Sequence, residues 1–311
     1  MRLSGLWSDR SCRSTNPPNQ LASVLDEYRN SSEFAGLAER IRKDYNKLLL
    51  KIEQDYGVFP LAALADRRTR GEFLAWRDRN ALRSRRQADY AYAVLARVLS
   101  WAHNRGIVAL NPCERGGRVY RAHRSDRIWR PEDELAFYDA AASHLHLALR
   151  LAVWTGQRQG DLLRITWASY DGEFIRLRQG KTGVAVKIPV GSALARDLDT
   201  ERDRRAAISC DLTREPILVT KLGQPWTESG FRASWRKGCI VSGITNLTFH
   251  DIRGTAVTRL AQAGCTVPEI ATFTGHSLKD VGTILDSHYL HRDDGLANSA
   301  MEKLELSLST E

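Results

Sequence analysis

The hydrophobic positions between residues 21 and 105 recur at the three- and four-residue spacing of amphipathic helices. Gly57 and Gly106 stand where two such helices should end, and Ser32 followed by Glu33 stands where one can begin. The spacing is clearest in two stretches, made of Phe34, Leu37, Ile41, Tyr45, Leu48, Leu49 and Ile52, and of Tyr90, Val94, Leu95, Val98, Leu99 and Ala102. The pattern predicts an all-helical unit with helices at about 20–30, 33–55, 69–79 and 84–105.

The second half of the chain combines helical periods with one alternating pattern. Two short alternating runs, 174–178 and 184–189, flank the turn sequence Gln-Gly-Lys-Thr-Gly and predict a β-hairpin. The expected fold class is therefore mainly α (α+β), a helical domain followed by a mostly helical domain with a small antiparallel β-sheet. The helices predicted in this half lie at about 131–142, 144–156, 159–166, 192–206, 227–242, 250–263, 267–274, 278–286 and 294–306.

Residues 111–130 combine proline, glycine and arginine without an apolar period, which is typical of an exposed connection between domains. The 311 residues are about twice the ~150 of one domain, so we expect a flexible segment at 1–19, a helical domain at 20–125 and a second domain at 126–311. No stretch approaches the ~18 apolar residues of a membrane span, and the first residues do not form a secretory signal, so we expect a cytoplasmic protein. Five cysteines without a C-x-x-C pair argue against a disulfide framework or a zinc knuckle.

The positive charge is concentrated in the first predicted domain. Residues 1–125 contain 23 basic and 13 acidic side chains, whereas residues 126–311 contain 23 and 24. Between residues 67 and 130 all 16 basic residues are arginines, against five acidic residues. Because guanidinium groups bind phosphate oxygens through paired hydrogen bonds, this arginine-rich segment indicates a surface that binds a nucleic-acid backbone. The alternative is a solvated helix face in which the arginines form ion pairs.

Polar residues stand at predicted turns and helix starts of the second domain. Arg158 lies in a glycine-flanked turn, where Asp161 is placed to hold it or a neighbour by hydrogen bonds. His250 and Arg253 open a predicted helix and, three residues apart, share one face of it. Taken singly, these residues also fit ordinary roles, such as a capping histidine and an arginine paired with an acid.

Two further motifs lie near the end of the chain. His276 follows Gly275 after a short apolar helix, and Tyr289 comes 13 residues after His276. His288 and His291 flank the tyrosine, but no cysteine or carboxylate stands at metal-ligand spacing. We therefore expect neither a metal nor another cofactor.

The order of these motifs is more specific than any one of them. Behind an arginine-rich helical domain, the chain resembles the tyrosine recombinases of the phage integrase family in five elements: Arg158, the hairpin Lys181, His250-x-x-Arg253, Gly-His276 and Tyr289. The resemblance rests on motifs over 126–295, and on size, helicity and charge over 20–125. It implies a site-specific DNA recombinase that integrates or excises a mobile element through a 3′-phosphotyrosyl intermediate.

The resemblance also assigns a role to each residue. Tyr289 would attack the phosphate with His250 assisting proton transfer, and Lys181 would protonate the leaving 5′ oxygen. A covalent intermediate conserves the bond energy, so the reaction needs no ATP. Three residues would hydrogen-bond the non-bridging oxygens and neutralise the charge that builds on them: Arg158, Arg253 and His276.

The expected partners are double-stranded DNA recombination sites and further copies of the chain in a synaptic tetramer. Gly254 stands where the family often has a histidine, and about 20 residues precede the helical unit where many phage integrases carry an arm-binding domain. A need for DNA-bending accessory proteins is therefore left open. The amphipathic segment 296–306 either packs on its own domain or docks on a neighbouring protomer.

Other functions stay open from the sequence. The same chemistry could resolve replicon dimers or relax supercoils, as type IB topoisomerases do. A DNA-binding relative that has lost catalysis is the third alternative, and the complete set of six motif residues argues against it.

Overall fold

The computed structural model describes residues 16–120, 127–208 and 211–288, together with residues 298, 301, 302 and 305. The chain divides into two compact units, Met1–His123 and Arg124–Glu311. Both units are mostly helical in their described parts, and a two-stranded antiparallel sheet lies in the second. This architecture confirms the expected fold class. Within the described residues, none of the helices is both long and apolar enough to cross a membrane.

The first unit is built from helices that differ from the predicted ones in one place, because the predicted helix 33–55 is divided into two helices. The break predicted between the helices 69–79 and 84–105 is present as a kink at Ser84, whose backbone is extended (φ −161°, ψ 106°). The described elements are α1 (Leu21–Arg29), α2 (Ser32–Ala35), α3 (Glu39–Tyr56), a 3₁₀ helix (Leu61–Ala65) and α4 (Arg67–Asn104).

The core of the first unit consists of the apolar faces of α1, α3 and α4. Each fully buried aliphatic side chain contributes about 1.5–3 kcal/mol by leaving water. Tyr28 adds edge-on ring contacts to Phe34 and Trp101, with centroids 5.7 and 5.5 Å away. Ile41, predicted for the buried face, is instead 40% exposed. The fully buried aliphatic residues include Leu21, Leu25, Leu49, Ile52, Leu95 and Leu99.

The arginine-rich segment has two kinds of side chain. Arg70 and Arg77 donate hydrogen bonds to backbone carbonyls of the loop 112–117, so these two arginines stabilise the fold. By contrast, three arginines beside the kink in α4 are exposed and have no ion-pair partner within the described residues: Arg83, Arg85 and Arg86. Part of the segment is therefore structural, and the part beside the kink carries uncompensated positive charge.

The second unit follows the predicted order of elements. Most bounds differ by a few residues from the expected ones, but the short helix predicted at 159–166 ends at Leu162. The predicted helix 294–306 lies largely outside the described residues. The elements are α5 (Pro131–Ala140), α6 (His146–Thr155), α7 (Gln159–Leu162), β1 (Phe174–Arg178), β2 (Ala185–Pro189), α8 (Ser192–Ala206), α9 (Glu228–Val241), α10 (Asp251–Gln262), α11 (Val267–Thr274) and α12 (Leu278–His288), with 3₁₀ helices at Ser143–Leu145 and Trp167–Ser169.

An aromatic cluster forms the centre of the second unit. Phe137 of α5 stacks on Trp235 of α9 with ring centroids 4.5 Å apart, and the fully buried Trp129 lies 5.8 Å from Phe137. Strands β1 and β2 pair in antiparallel register, and β1 buries Ile175 against this core. A smaller apolar cluster joins α10, α11 and α12. These contacts hold the ends of α6, α10 and α11, which position the candidate site.

Candidate active site

Arg253 lies in the first turn of α10 and is only 5% exposed. Its Nη1 donates to two carbonyl oxygens, that of Gly156 and, at 3.2 Å, that of Thr274. Both carbonyls belong to the C-terminal ends of helices, α6 and α11, where the helix dipole attracts a cation. The other terminal nitrogen, Nη2, is buried and has no hydrogen-bond partner among the described residues. A buried guanidinium nitrogen without an acceptor is costly, so this atom is suited to donate a hydrogen bond to a bound acceptor such as an anion.

Arg158 stands immediately before α7 and projects toward the β1–β2 hairpin. Its Nη1 donates to Gln179 Oε1 at 2.9 Å and lies 4.0 Å from Asp161 Oδ2. The other carboxylate oxygen of Asp161 accepts hydrogen bonds from the Gly180 backbone nitrogen at 2.8 Å and from Arg164 Nη2 at 2.6 Å. Asp161 therefore holds the start of the hairpin turn with one oxygen and faces Arg158 with the other.

His276 follows α11 after one glycine, and its ring is fixed by Thr274. Thr274 Oγ1 lies 2.6 Å from the Ile270 carbonyl and must donate its proton there. The same oxygen lies 2.7 Å from His276 Nδ1, so it accepts a hydrogen bond from an Nδ1–H group. The neutral imidazole then carries its lone pair on Nε2.

Burial and neighbouring positive charges lower the pKa values of two groups in this pocket. Burial, with the charges of Arg253 and Arg158, lowers the pKa of His276 to about 3. Burial, with the charge of Arg158, lowers the pKa of Arg253 to about 9, which leaves its guanidinium charged at neutral pH. Both shifts have the sign expected where positive groups are brought together in a desolvated pocket. Such a pocket favours an anion with oxygens in several directions, as a phosphodiester has.

Gly275 allows His276 to reach this pocket. Its φ of +67° lies in the left-handed region that favours glycine. A Cβ at this position would lie 2.5 Å from Gln179 Nε2 and 2.7 Å from Val186 Cγ2. The close approach of α11 to the hairpin therefore requires glycine.

The structure brings together Arg158, Arg253 and His276, three of the six residues that the sequence predicts for the site. His250 is exposed at the start of α10, and its charge is close enough to lower the pKa of His276 further. Lys181 lies in the exposed turn between β1 and β2. Tyr289 and His291 lie outside the described residues. Among those that are described, no three His, Cys, Asp or Glu side chains are grouped as metal ligands.

Three buried polar residues that contact the site are not predicted by the sequence: Gln157, Gln179 and Thr274. All are buried, with 2%, 0% and 0% exposure, and all lie within hydrogen-bond distance of a site residue or of one another. Their residue types are common in surface turns, and no local spacing distinguishes them. Only the polarity of the short sequence between two helices, Thr-Gly-Gln-Arg, hinted that one of them was near the site.

The comparisons with known proteins agree with this geometry. The profile of the Phage integrase family matches residues 129–295, more than half of the chain. The integrase of Mycobacterium phage D29 is 30% identical over 235 residues, which cover 68% of this chain and 61% of that protein. The integrase of Mycobacterium phage FRAT1 is 29% identical over 235 residues, which cover 68% of this chain and 69% of that protein. The chain thus spans 61% and 69% of the lengths of these two relatives.

Solved structures share the fold at lower identity. A lambda integrase dimer bound to a COC′ core site matches with a TM-score of 0.73 at 22% identity, covering 89% of this chain and 81% of that one. The Tn1549 transposon integrase in complex with a circular intermediate DNA matches with a TM-score of 0.73 at 16% identity, covering 92% and 99%. With the profile match over 129–295, these findings establish that the chain belongs to the phage integrase family, the tyrosine recombinases.

Proposed function

We propose that this protein is a site-specific DNA recombinase that integrates or excises a mobile element by cutting and rejoining strands through a 3′-phosphotyrosyl intermediate. The observation that carries the proposal is the buried cationic pocket of the second unit. Arg253 Nη2 has no acceptor among the described residues, and Arg158 and His276 lie close enough for the charges of the two arginines to lower the pKa of His276. A scissile phosphate supplies an oxygen that Arg253 Nη2 lacks.

In the reaction, the pocket stabilises charge that develops on the non-bridging oxygens. The guanidinium groups of Arg158 and Arg253 are held by Gln179 Oε1 and by the carbonyls of two helix ends before DNA arrives. Donors that are already oriented need no reorganisation in the transition state, and this form of stabilisation is commonly the largest contribution to catalysis. His276 joins them after its Nε2 takes up a proton beside the bound phosphate.

Three residues move the reacting atoms and protons. Tyr289 Oη forms a bond to phosphorus while the bond from phosphorus to the 5′ oxygen breaks. His250 assists in removing the tyrosine proton, and Lys181 supplies a proton to the leaving 5′ oxygen. Attack by the 5′ hydroxyl of a second strand reverses these steps and releases Tyr289. These roles come from the family likeness and from the motif positions of the three residues.

DNA binding by the predicted domain 20–125 completes the proposal. The exposed arginines beside the kink in α4, at residues 83, 85 and 86, are suited to phosphate oxygens because no acid neutralises them within the described residues. Catalysis belongs to the predicted domain 126–311.

A lambda integrase tetramer bound to a Holliday junction shares the fold with a TM-score of 0.69, which supports a synaptic tetramer here. Recombination by purified protein, with and without DNA-bending proteins, measures the need for accessory partners.

Trapping the covalent intermediate tests the proposal. The full chain is incubated with a cognate duplex whose nick lets the 5′ fragment diffuse away after cleavage. The unmodified protein should form a covalent protein–DNA adduct, and Tyr289→Phe should form none because it lacks the nucleophilic oxygen. Tyr138→Phe, which removes a hydroxyl from α5 in the same unit, is the matched control and should retain the adduct. Absence of any adduct with the unmodified protein would refute the enzymatic function. Nicking and closing of DNA that carries a single cognate site would favour relaxation, whereas a need for two sites would favour recombination.

A further inference from the structure

Gln179 is a fully buried side chain between the hairpin turn and the arginine pocket. Its Oε1 accepts hydrogen bonds from Arg158 Nη1 at 2.9 Å and from Thr182 Oγ1 at 2.8 Å. Its Nε2 donates to Gln157 Oε1 at 2.8 Å and to the Thr274 carbonyl at 2.9 Å. Only one orientation of the amide satisfies these partners, because the guanidinium is purely a donor and the carbonyl purely an acceptor.

The Nε2 end of this amide shares a partner with the second arginine. The Thr274 carbonyl accepts from Gln179 Nε2, from Gln157 Nε2 at 3.1 Å and from Arg253 Nη1 at 3.2 Å. One backbone oxygen at the end of α11 therefore fixes both glutamines and one guanidinium. Since Gln179 also accepts from Arg158, it is linked to both arginines of the pocket.

The Oε1 end of the amide is linked to the turn that carries Lys181. Thr182, the next residue, donates its hydroxyl to Gln179, and the preceding residue, Gly180, donates its backbone nitrogen to Asp161 at 2.8 Å. The backbone of Gln179 closes the turn by accepting from the Gly183 nitrogen at 2.8 Å. The residues on both sides of Lys181 are thus tied to groups that hold Arg158.

We infer that Gln179 is a positioning residue that links the arginine pocket to the hairpin turn, so that one amide orients both the phosphate-binding guanidinium groups and the proton-donating lysine. The inference rests on the proposed function, because it assigns Gln179 an effect on Lys181 as well as on Arg158. Glutamine is required for this link because one end must accept two hydrogen bonds and the other must donate two. Methionine has a similar volume and offers neither a comparable acceptor nor any donor.

The link through Gln179 has two branches, one to the arginine pocket at Arg158 and one to the hairpin turn that carries Lys181. The leaving group of the reaction separates their effects. One cognate suicide substrate has the normal 5′ oxygen at the scissile bond, and a second has sulfur in that position. A thiol has a pKa of about 8.5, far below that of an alcohol, so sulfur leaves as the thiolate without a proton donor. A variant that has lost only proton donation should therefore recover on the sulfur substrate, and a variant with weakened phosphate binding should not.

Four variants of the full chain are compared with the unmodified protein in single-turnover cleavage. Gln179→Met removes both branches of the link. Thr182→Val removes only the branch to the turn, and Thr182→Ser, which keeps the hydroxyl, is its matched control. Lys181→Ala reports on the proton donor itself. Thermal denaturation of each variant checks folding, and Thr182 tests the inference independently because it lies in an exposed turn.

The expected results differ between the two substrates. Lys181→Ala should cleave the oxygen substrate about 100-fold or more slowly than the unmodified protein, and its cleavage rate should recover on the sulfur substrate. Thr182→Val should cleave the oxygen substrate about 10-fold more slowly than the unmodified protein, and its rate on the sulfur substrate should stay within about twofold. Thr182→Ser should cleave both substrates at the rate of the unmodified protein. Gln179→Met should cleave the oxygen substrate about 100-fold more slowly than the unmodified protein. The sulfur substrate should restore only about 10-fold of this loss of rate, because the branch to Arg158 is also lost.

Equal losses of Gln179→Met on the two substrates, or a Thr182→Val variant that cleaves the oxygen substrate normally, would overturn the link to the turn. Full recovery of Gln179→Met on sulfur would overturn the link to the arginines. If Lys181→Ala fails to recover while the unmodified protein still forms adducts, the proton-donor branch of the inference is wrong and the recombinase function stands. If the unmodified protein cleaves neither substrate, the proposed function itself fails.

Discussion

The depressed basicity of His276 gives a prediction that can be tested without DNA. Unperturbed histidine has a pKa near 6.5, whereas burial and the charges of Arg253 and Arg158 lower the pKa of His276 to about 3. His250 lowers the pKa of His276 further and Asp280 raises it, so burial and the positive charges outweigh the Asp280 carboxylate. At pH 5 an unperturbed histidine is about 97% protonated, and His276 should be about 1% protonated.

Histidine ring NMR measures both the charge and the tautomer. In protein labelled with ¹⁵N-histidine, the signals lost in His276→Gln identify this ring among the eight histidines. We expect it to stay neutral from pH 7 to pH 5, with the proton on Nδ1, because Thr274 Oγ1 donates to Ile270 and can only accept from the ring. The matched control is His103→Gln, which removes an exposed histidine from the first unit. A His276 ring that titrates near pH 6.5, or that carries its proton on Nε2, would refute the reasoning.

The same shift predicts how stability depends on pH. Below pH 6.5 the unfolded chain binds a proton at His276, and the folded chain does not do so until about pH 3, so the folded state loses stability as the pH falls through this window. The full shift corresponds to about 2 kcal/mol between pH 7 and pH 5, and the partial exposure of the ring reduces this to about 1 kcal/mol. Urea denaturation should therefore show a smaller loss between pH 7 and pH 5 in His276→Gln than in the unmodified protein. Parallel losses in the two proteins would contradict the prediction.

DNA should reverse the shift. A phosphate beside Arg253 Nη2 adds negative charge next to the ring, which raises the pKa of His276 and lets Nε2 bind a proton. Binding of a cognate duplex near pH 6 should therefore take up as much as about one proton, measured by titration calorimetry in buffers of different ionisation enthalpy. His276→Gln should bind with that uptake removed. Uptake that is unchanged in the variant would place the proton on another group.

Two further predictions follow from the fold. Gly275→Ala should lower the free energy of unfolding by about 3 kcal/mol or more, because the new Cβ would clash with the hairpin. Gly264→Ala should lower it by only about 1 kcal/mol, because Gly264 also has a positive φ but has open space where the Cβ would lie. Equal losses of the two variants in urea denaturation would show that the contact with the hairpin is unimportant. Arg85→Gln should reduce the slope of the logarithm of the DNA-binding constant against the logarithm of the salt concentration by about 0.9, because one phosphate contact is lost. Arg68→Gln should change this slope less, because Asp66 already pairs with Arg68. Equal slopes for the two variants in a filter-binding titration would contradict this prediction.

The elements that could be predicted from the sequence are those with strong local signals. The predicted bounds of α11 match the structure because the Thr266 hydroxyl accepts from the Glu269 nitrogen, the Glu269 carboxylate accepts from Thr266, and Gly275 ends the helix in the left-handed conformation. The break that the sequence predicts between the helices 69–79 and 84–105 is present as the kink at Ser84, but the hydrophobic period does not show that the break is confined to a single extended residue. Local chemistry therefore gives the ends of α11, and the hydrophobic period gives the break within α4 but not its exact position.

The candidate site was only partly predictable for a different reason. Arginine, histidine and tyrosine are recognisable by type, so their order along the chain pointed to phosphoryl chemistry. Gln157 and Gln179 have no such mark, and their burial depends on partners far along the chain, such as the carbonyl of Thr274, which lies 95 residues from Gln179. A glutamine beside a glycine-rich turn is ordinarily solvated. Only the folded chain shows that these amides are buried because every donor and acceptor on them has a partner.

The site also shows how a nearly neutral domain can concentrate positive charge at one place. The 23 basic and 24 acidic residues of 126–311 almost cancel. Even so, the guanidinium groups of Arg158 and Arg253 lie close to the His276 ring, and the buried Asp161 carboxylate lies beside Arg158. Desolvation, together with repulsion from neighbouring positive charges, lowers the pKa values of Arg253 and His276 and destabilises the unliganded fold. A phosphate removes that repulsion and satisfies Arg253 Nη2, so binding gains free energy that a neutral ligand could not supply. In the proposed recombinase, the arginines of the first unit would attract the phosphates along a duplex, whereas the pocket of the second unit would favour one phosphate at one position.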